Sequence, residues 1–191
     1  GIAKRGWMVI TGAASGIMQA GNEGAGRKSS FGVNIQLPFE QMANPVMQQD
    51  EKLMNFKYFF TRKLMFMRES HATLLCPGGF GTHDEGFETL TLVQTGKTEP
   101  RPIVCLDAPG STYWKDFEGF LRKQLLKGKM ISEEDIGIMY FTQDPVDAAK
   151  SLFQPVRIPW QIIVYHQMSP LKIYSFSGGI GSYKNRHTNI L

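Results

Sequence analysis

Ala72-Thr73-Leu74-Leu75-Cys76 is a short apolar run that ends in Pro77-Gly78-Gly79-Phe80-Gly81-Thr82, and a helix-forming stretch follows to about Gln94. An apolar run of this length, bounded by a Gly-rich turn, reads as a buried strand feeding a helix. The same order recurs along the chain. Trp7 to Thr11 reads as a strand ending at Gly12, with Ser15 expected to cap a helix to about Gly26. Phe31 to Gln36 reads as a second strand, and residues 38–52 as a polar, Pro-containing connection. Helices are expected at Lys57 to Glu69 and Thr112 to Leu126, strands at Pro102 to Leu106 and Ile138 to Phe141, and Gly96 suits a helix end. Asp144 is placed to cap a last helix to Phe153. Continuously apolar strands alternating with helices imply an α/β fold with a mainly parallel sheet covered on both faces.

The length of 191 residues, with 42% apolar and 20% charged residues, suits one globular domain. We assign residues 1–153 to that domain and residues 154–191 to a basic tail. Residues 151–191 hold Arg157, Lys172, Lys184 and Arg186 and no Asp or Glu, which accounts for the whole formal charge of +4. The charge balance therefore gives the domain no nucleic-acid footprint. The tail's Gly178-Gly179-Ile180-Gly181 looks like a phosphate loop but lacks a following helix, and reads as peripheral chain. No stretch is long and apolar enough for a membrane span. Cys76 and Cys105 each lie in an apolar run and read as reduced, buried thiols, which points to a reducing compartment, the cytoplasm or a plastid. Gly1 to Trp7 carry no signal-peptide pattern and no initiator Met, so the expected chain is one trimmed or incomplete at its front.

The chemistry concentrates around the Gly-rich turn. Glycines let the backbone approach an anion, and the free N–H groups of a helix start point at it. Gly78, Gly79 and Gly81 would form such a cradle, with Thr82 adding a hydroxyl and a helix cap. Glu85 and Glu88 share one helix face just beyond, where a carboxylate beside a phosphate is unfavourable unless it has a task. Arg62 and Lys63, on the preceding helix, supply cations suited to phosphate or carboxylate. The earlier turn Thr11-Gly12-Ala13-Ala14-Ser15-Gly16-Ile17-Met18 offers a second wall. His71, His83, His166 and His187 show no metal-ligand spacing, and no metal or cofactor is expected. His83, just after the loop, reads first as an exposed first-turn residue, with contact to a substrate as the alternative.

Pro77-Gly78-Gly79-Phe80-Gly81-Thr82-His83-Asp84-Glu85 fits PGGxGTxxE, and Arg62-Lys63 precedes it at a matching spacing. In these features, over about residues 6–150, the chain resembles the LOG (Lonely Guy) family of cytokinin riboside 5′-monophosphate phosphoribohydrolases, long mislabelled as lysine decarboxylases. The resemblance implies a Rossmann-like three-layer fold, a homodimer, and hydrolysis of the N-glycosidic bond of a nucleoside 5′-monophosphate. It implies Arg62 and Glu85 as the catalytic pair. It assigns Gly78, Gly79, Gly81 and Thr82 to the 5′-phosphate, Gly12, Gly16 and Met18 to the ribose-phosphate side, and Lys63 and Glu88 to the substrate pocket. Ala13-Ala14-Ser15 stands where the family has Gly-Gly-Pro, and Gln19 where many members have Glu. The family's first strand and helix have no counterpart here, which implies an unpaired sheet edge. A non-catalytic nucleotide or molybdenum-cofactor carrier and an inactive truncated member are the alternative readings. No recognisable pyridoxal-phosphate lysine context supports a decarboxylase.

Overall fold

The structure, a computed structural model, describes residues 1–38 and 42–154. The tail from 155 to 191, with its glycine run, lies outside the described residues. Among the described residues six strands form: β1 (Val9–Thr11), β2 (Ser30–Ile35), β3 (Leu53–Phe56), β4 (Thr73–Leu75), β5 (Ile103–Leu106) and β6 (Met139–Thr142). Between them run α1 (Ile17–Ala25), α2 (Phe59–Glu69), α3 (Phe80–Gln94), α4 (Tyr113–Phe120), α5 (Glu133–Ile136) and, at the end, α6 (Pro145–Ser151). All strand pairs are parallel, as the alternation of elements implies. The strands divide into two three-stranded sheets, β1-β2-β3 and β4-β5-β6. The chain has an α/β, Rossmann-like fold.

Strand β5 shows why its run is apolar throughout. Ile103 and Cys105 point into a cluster with Leu75, Val93, Trp114, Leu121, Ile138 and Met139. Val104, between them, points the other way, against Ala148 and Leu152 of the α6 region. Successive side chains alternate faces, so a strand with helices on both sides has no polar position to spare. The result around β5 is three layers, with α3 and α4 on one face and α6 on the other. Burial pushes the Cys105 thiol up to about 12 and raises that of Cys76. Both are free.

Several local expectations are corrected. Ser15 does not cap α1. Gly16 holds that position with φ 71° and ψ −132°, a conformation a side chain would strain, and makes no side-chain cap bond. Thr82 lies inside α3, whose N-cap is Gly79. The Thr112 to Leu126 helix is α only to Phe120 and continues as a π-helical turn over Leu121–Leu126. Strand β3 and the short α5, started by a Ser132–Asp135 capping box, had no expectation attached to them. Gly96 does take a positive φ of 64° after α3, and Asp144 caps α6 by accepting from the Val146 N–H.

A buried polar knot holds the first turn. The Thr11 hydroxyl donates to Asn22 Oδ1 at 2.7 Å and accepts from the Ala13 N–H at 3.0 Å. Asn44 Nδ2 donates to the same Asn22 oxygen and to the Ala14 carbonyl, at 2.9 and 3.2 Å. Its N–H donates to the Ala13 carbonyl at 2.8 Å. These bonds keep Ala13, fully buried, at φ 58°, where an L-residue costs about 1–2 kcal/mol. Asn44→Ala removes two of these bonds and leaves Asn22 short of a partner, so a loss of about 2–3 kcal/mol is expected in urea unfolding. A change below about 0.5 kcal/mol would show that the knot does not hold the turn.

Candidate active site

The site is built where α2, α3 and the first turn converge. Helix α3 opens directly from the turn after β4, and no side chain caps it. Thr82 and His83 donate their N–H groups to the Gly79 carbonyl, at 3.1 and 3.4 Å. The N–H groups of Phe80 and Gly81, one position in, have no intrahelical acceptor. Side chains added at Gly79 or Gly81 would meet nothing within 4 Å, so the backbone there is open to an approaching group. No acid stands in the first turn of α3. A bare, positive helix end with small residues suits an anion. Gly78 has a different reason to be glycine: a Cβ there would fall 2.1 Å from Thr82 Oγ1.

Arg62 reaches from α2 to this helix. Its Nη2 donates to Glu85 Oε1 at 3.0 Å. Its guanidinium lies 5.2 Å from the centre of the Phe59 ring and 5.7 Å from that of Phe66, so aromatic faces share its charge. Its Nε is buried without a partner among the described residues. A Cβ on Gly12 would sit 3.0 Å from Met18 Sδ and 3.7 Å from Arg62 Nη1. The end of β1 and the start of α1 thus border the same guanidinium. Gly12, Met18, Arg62 and Glu85 are therefore brought together. Gly16, at the start of α1, has open space around it.

Glu85 is half-buried. Burial raises its carboxyl above the usual glutamate value of 4.5, and the charges of Arg62 and Lys63 work against that rise without cancelling it. A carboxylate held above its ordinary range, with one oxygen fixed by arginine, is suited to accept a proton from water. Lys63 is placed differently from a solvated helix lysine. Its ammonium donates to Asp84 Oδ1 at 2.6 Å and to Glu88 Oε2 at 3.0 Å. Burial alone would lower its pKa, but the two carboxylates outweigh this and raise it. Lys63, bridging Asp84 and Glu88, thus adds a second polar link between α2 and α3 next to the Arg62–Glu85 pair.

Sequence reasoning missed Tyr113 and the packing of His83. His83 is not an exposed first-turn residue. It packs among Tyr113, Trp114, Phe117 and Phe87 with ring centres 5.1–6.2 Å away. The Tyr113 hydroxyl lies 2.6 Å from His83 Nε2 and donates to the Gly78 carbonyl at 2.6 Å. The aromatic-rich Tyr113-Trp114-Lys115-Asp116-Phe117 stretch was the available signal. Among the described residues, no group of three or more His, Cys, Asp or Glu side chains is arranged to hold a metal ion.

Residues 11–152 match the family described as "possible lysine decarboxylase", the LOG-like group, and the match spans the first turn, α2 and the whole of α3. The chain belongs to this family. No significant match is found among curated proteins. The LOG-like assignment covers every residue of the site just described. No helix among the described residues of this LOG-like chain is long and apolar enough to cross a membrane.

The Gly78 contact is directly testable. Gly78→Ala is expected to cost about 1–3 kcal/mol in thermal or urea unfolding by overpacking. The cost should shrink in a Thr82→Ala background, which removes the clashing hydroxyl. Equal costs in both backgrounds would place the strain elsewhere.

Proposed function

We propose that this protein is a hydrolase that cleaves the N-glycosidic bond of a nucleoside 5′-monophosphate of the AMP or cytokinin riboside type. The products are the free base and ribose 5-phosphate. The observation that carries this reading is the Arg62–Glu85 pair, 3.0 Å apart, which joins α2 to the helix that opens from the Gly-rich turn. A phosphate on the amides at the start of α3 would leave the sugar near the second helical turn, where Glu85 stands. The C1′–N bond breaks, the base leaves with the electron pair and gains a proton, and water supplies the oxygen that bonds to C1′. Positive charge develops on the ribose during this step, and a carboxylate stabilises it while orienting the water. Arg62 holds one Glu85 oxygen and leaves the other free. Its unspent N–H groups are available to the substrate. Gly12 and Met18 border the guanidinium, and Gly16 opens the same turn. The decarboxylase in the family's description would need an electron sink such as pyridoxal phosphate, and the sequence shows no recognisable lysine context for one. A carrier protein, nucleotide-binding but not catalytic, has no use for a carboxylate kept beside an anion site.

We further propose that two copies pair through α2. Phe59 and Phe60 are 51% and 70% exposed there, with Leu64 exposed one turn on. Met67, on the same helix, accepts from the Thr89 hydroxyl at 3.3 Å and is not part of that face. Light scattering at micromolar concentration should give twice the chain mass, and a monomer would reject this pairing.

Glu85→Gln tests the reaction. Base release should fall by about 10²–10⁴-fold, the usual contribution of a positioned acid–base group, with nucleotide binding retained. In the unaltered protein the reactive form is the deprotonated carboxylate. The value of kcat/KM should therefore rise with pH along a limb centred above 4.5, and Glu85→Gln should abolish that limb. Full activity in the variant would remove Glu85 from the chemistry.

A further inference from the structure

We propose that Tyr113 is a positioning residue that fixes the orientation of the Gly78–Gly79 peptide and thereby aims the Gly79 N–H at the anion site. The Tyr113 hydroxyl donates to the Gly78 carbonyl at 2.6 Å. In a planar trans peptide the C=O and the following N–H point in opposite directions. Tying the Gly78 carbonyl back to α4 therefore turns the Gly79 N–H away from α4, alongside the free amides of Phe80 and Gly81. Without the tie, two successive glycines would let this peptide rotate at little cost. A rotated peptide would present its carbonyl oxygen to the anion in place of a donor.

A phenol has one hydrogen. Since Tyr113 gives it to Gly78, His83 must carry hydrogen on Nε2 and donate it to the Tyr113 oxygen across 2.6 Å. The bond polarises the phenol and strengthens its own donation. The tyrosine is held for this task. Its ring stacks on His83 at 5.8 Å and 24°, and meets Trp114 edge-on at 4.8 Å. The start of α4 is anchored by the buried Asp107, which accepts from the Trp114 and Ala108 N–H groups at 3.1 and 3.0 Å. The proposal rests on the nucleotide reading only for the identity of the anion.

The test uses Tyr113→Phe, which keeps the ring, together with His83→Gln and His83→Leu. Two quantities are measured: the Gly79 amide resonance in ¹⁵N–¹H spectra, and the affinity for ribose 5-phosphate by titration. Tyr113→Phe should shift the Gly79 resonance in the free protein and weaken binding by roughly tenfold or more, the loss of one hydrogen bond to a charged group. His83→Gln, which can still offer an N–H, should stay near the unaltered affinity, and His83→Leu should weaken it. An unmoved Gly79 resonance with unchanged affinity in Tyr113→Phe overturns the proposal and leaves the hydrolase reading intact. A shifted Gly79 resonance in a protein that never takes up ribose 5-phosphate supports the positioning role and counts against the nucleotide reading.

Discussion

An arginine and a glutamate that meet at 3.0 Å from two different helices set the distance between those helices. Much of the site follows from that constraint. Helix α2 must lie close enough to α3 for Arg62 to reach Glu85, and Lys63 then falls between Asp84 and Glu88. Packing the guanidinium under Phe59 and Phe66 keeps it out of water while leaving it charged. Burial of Glu85 itself raises its carboxyl, against the opposing pull of Arg62. A surface pair of the same residues would be worth about 0–1 kcal/mol and would shift little. Partial burial leaves the Glu85 carboxyl raised despite its arginine partner.

The second constraint is the bare start of α3. The glycines after β4 leave amides without acceptors, and the structure spends side chains on controlling their direction rather than on capping them. Thr82 occupies the space a Gly78 side chain would need. Tyr113 holds the Gly78 carbonyl from the far side. The first turn is treated in the same way, with Asn22, Asn44 and Thr11 fixing Ala13 in a backbone conformation that it would otherwise avoid. Both loops at the strand ends are thus stiffened by polar contacts from outside themselves, as ligand-facing loops at strand ends of an α/β fold require.

Which parts were readable from sequence follows from the range of the interactions. Strands β2 and β5 and helices α2, α3 and α6 announce themselves through local apolar runs and turn residues. Arg62, Glu85 and the glycines were also legible, because the motif is contiguous and the spacing to Arg62 is short. Strand β3 was hidden because Asn55 interrupts its apolar run, and Asn55 is explained only by its partner Asn34 on the neighbouring strand. Asn22 and Asn44 drew no attention, since nothing local shows that they meet 22 positions apart. Tyr113 is 35 positions from Gly78, and no periodicity connects them. His83 looked exposed for the same reason: the aromatic cage around it comes mostly from α4.

The central claim is that this site breaks a glycosidic bond beside a bound phosphate. Incubating the protein with AMP, then separating and quantifying the products, tests that claim most directly. Adenine and ribose 5-phosphate in equal amounts are the predicted outcome. Adenosine with inorganic phosphate, a deaminated nucleotide, or unchanged AMP and unchanged isopentenyl-adenosine monophosphate from a folded protein would contradict it.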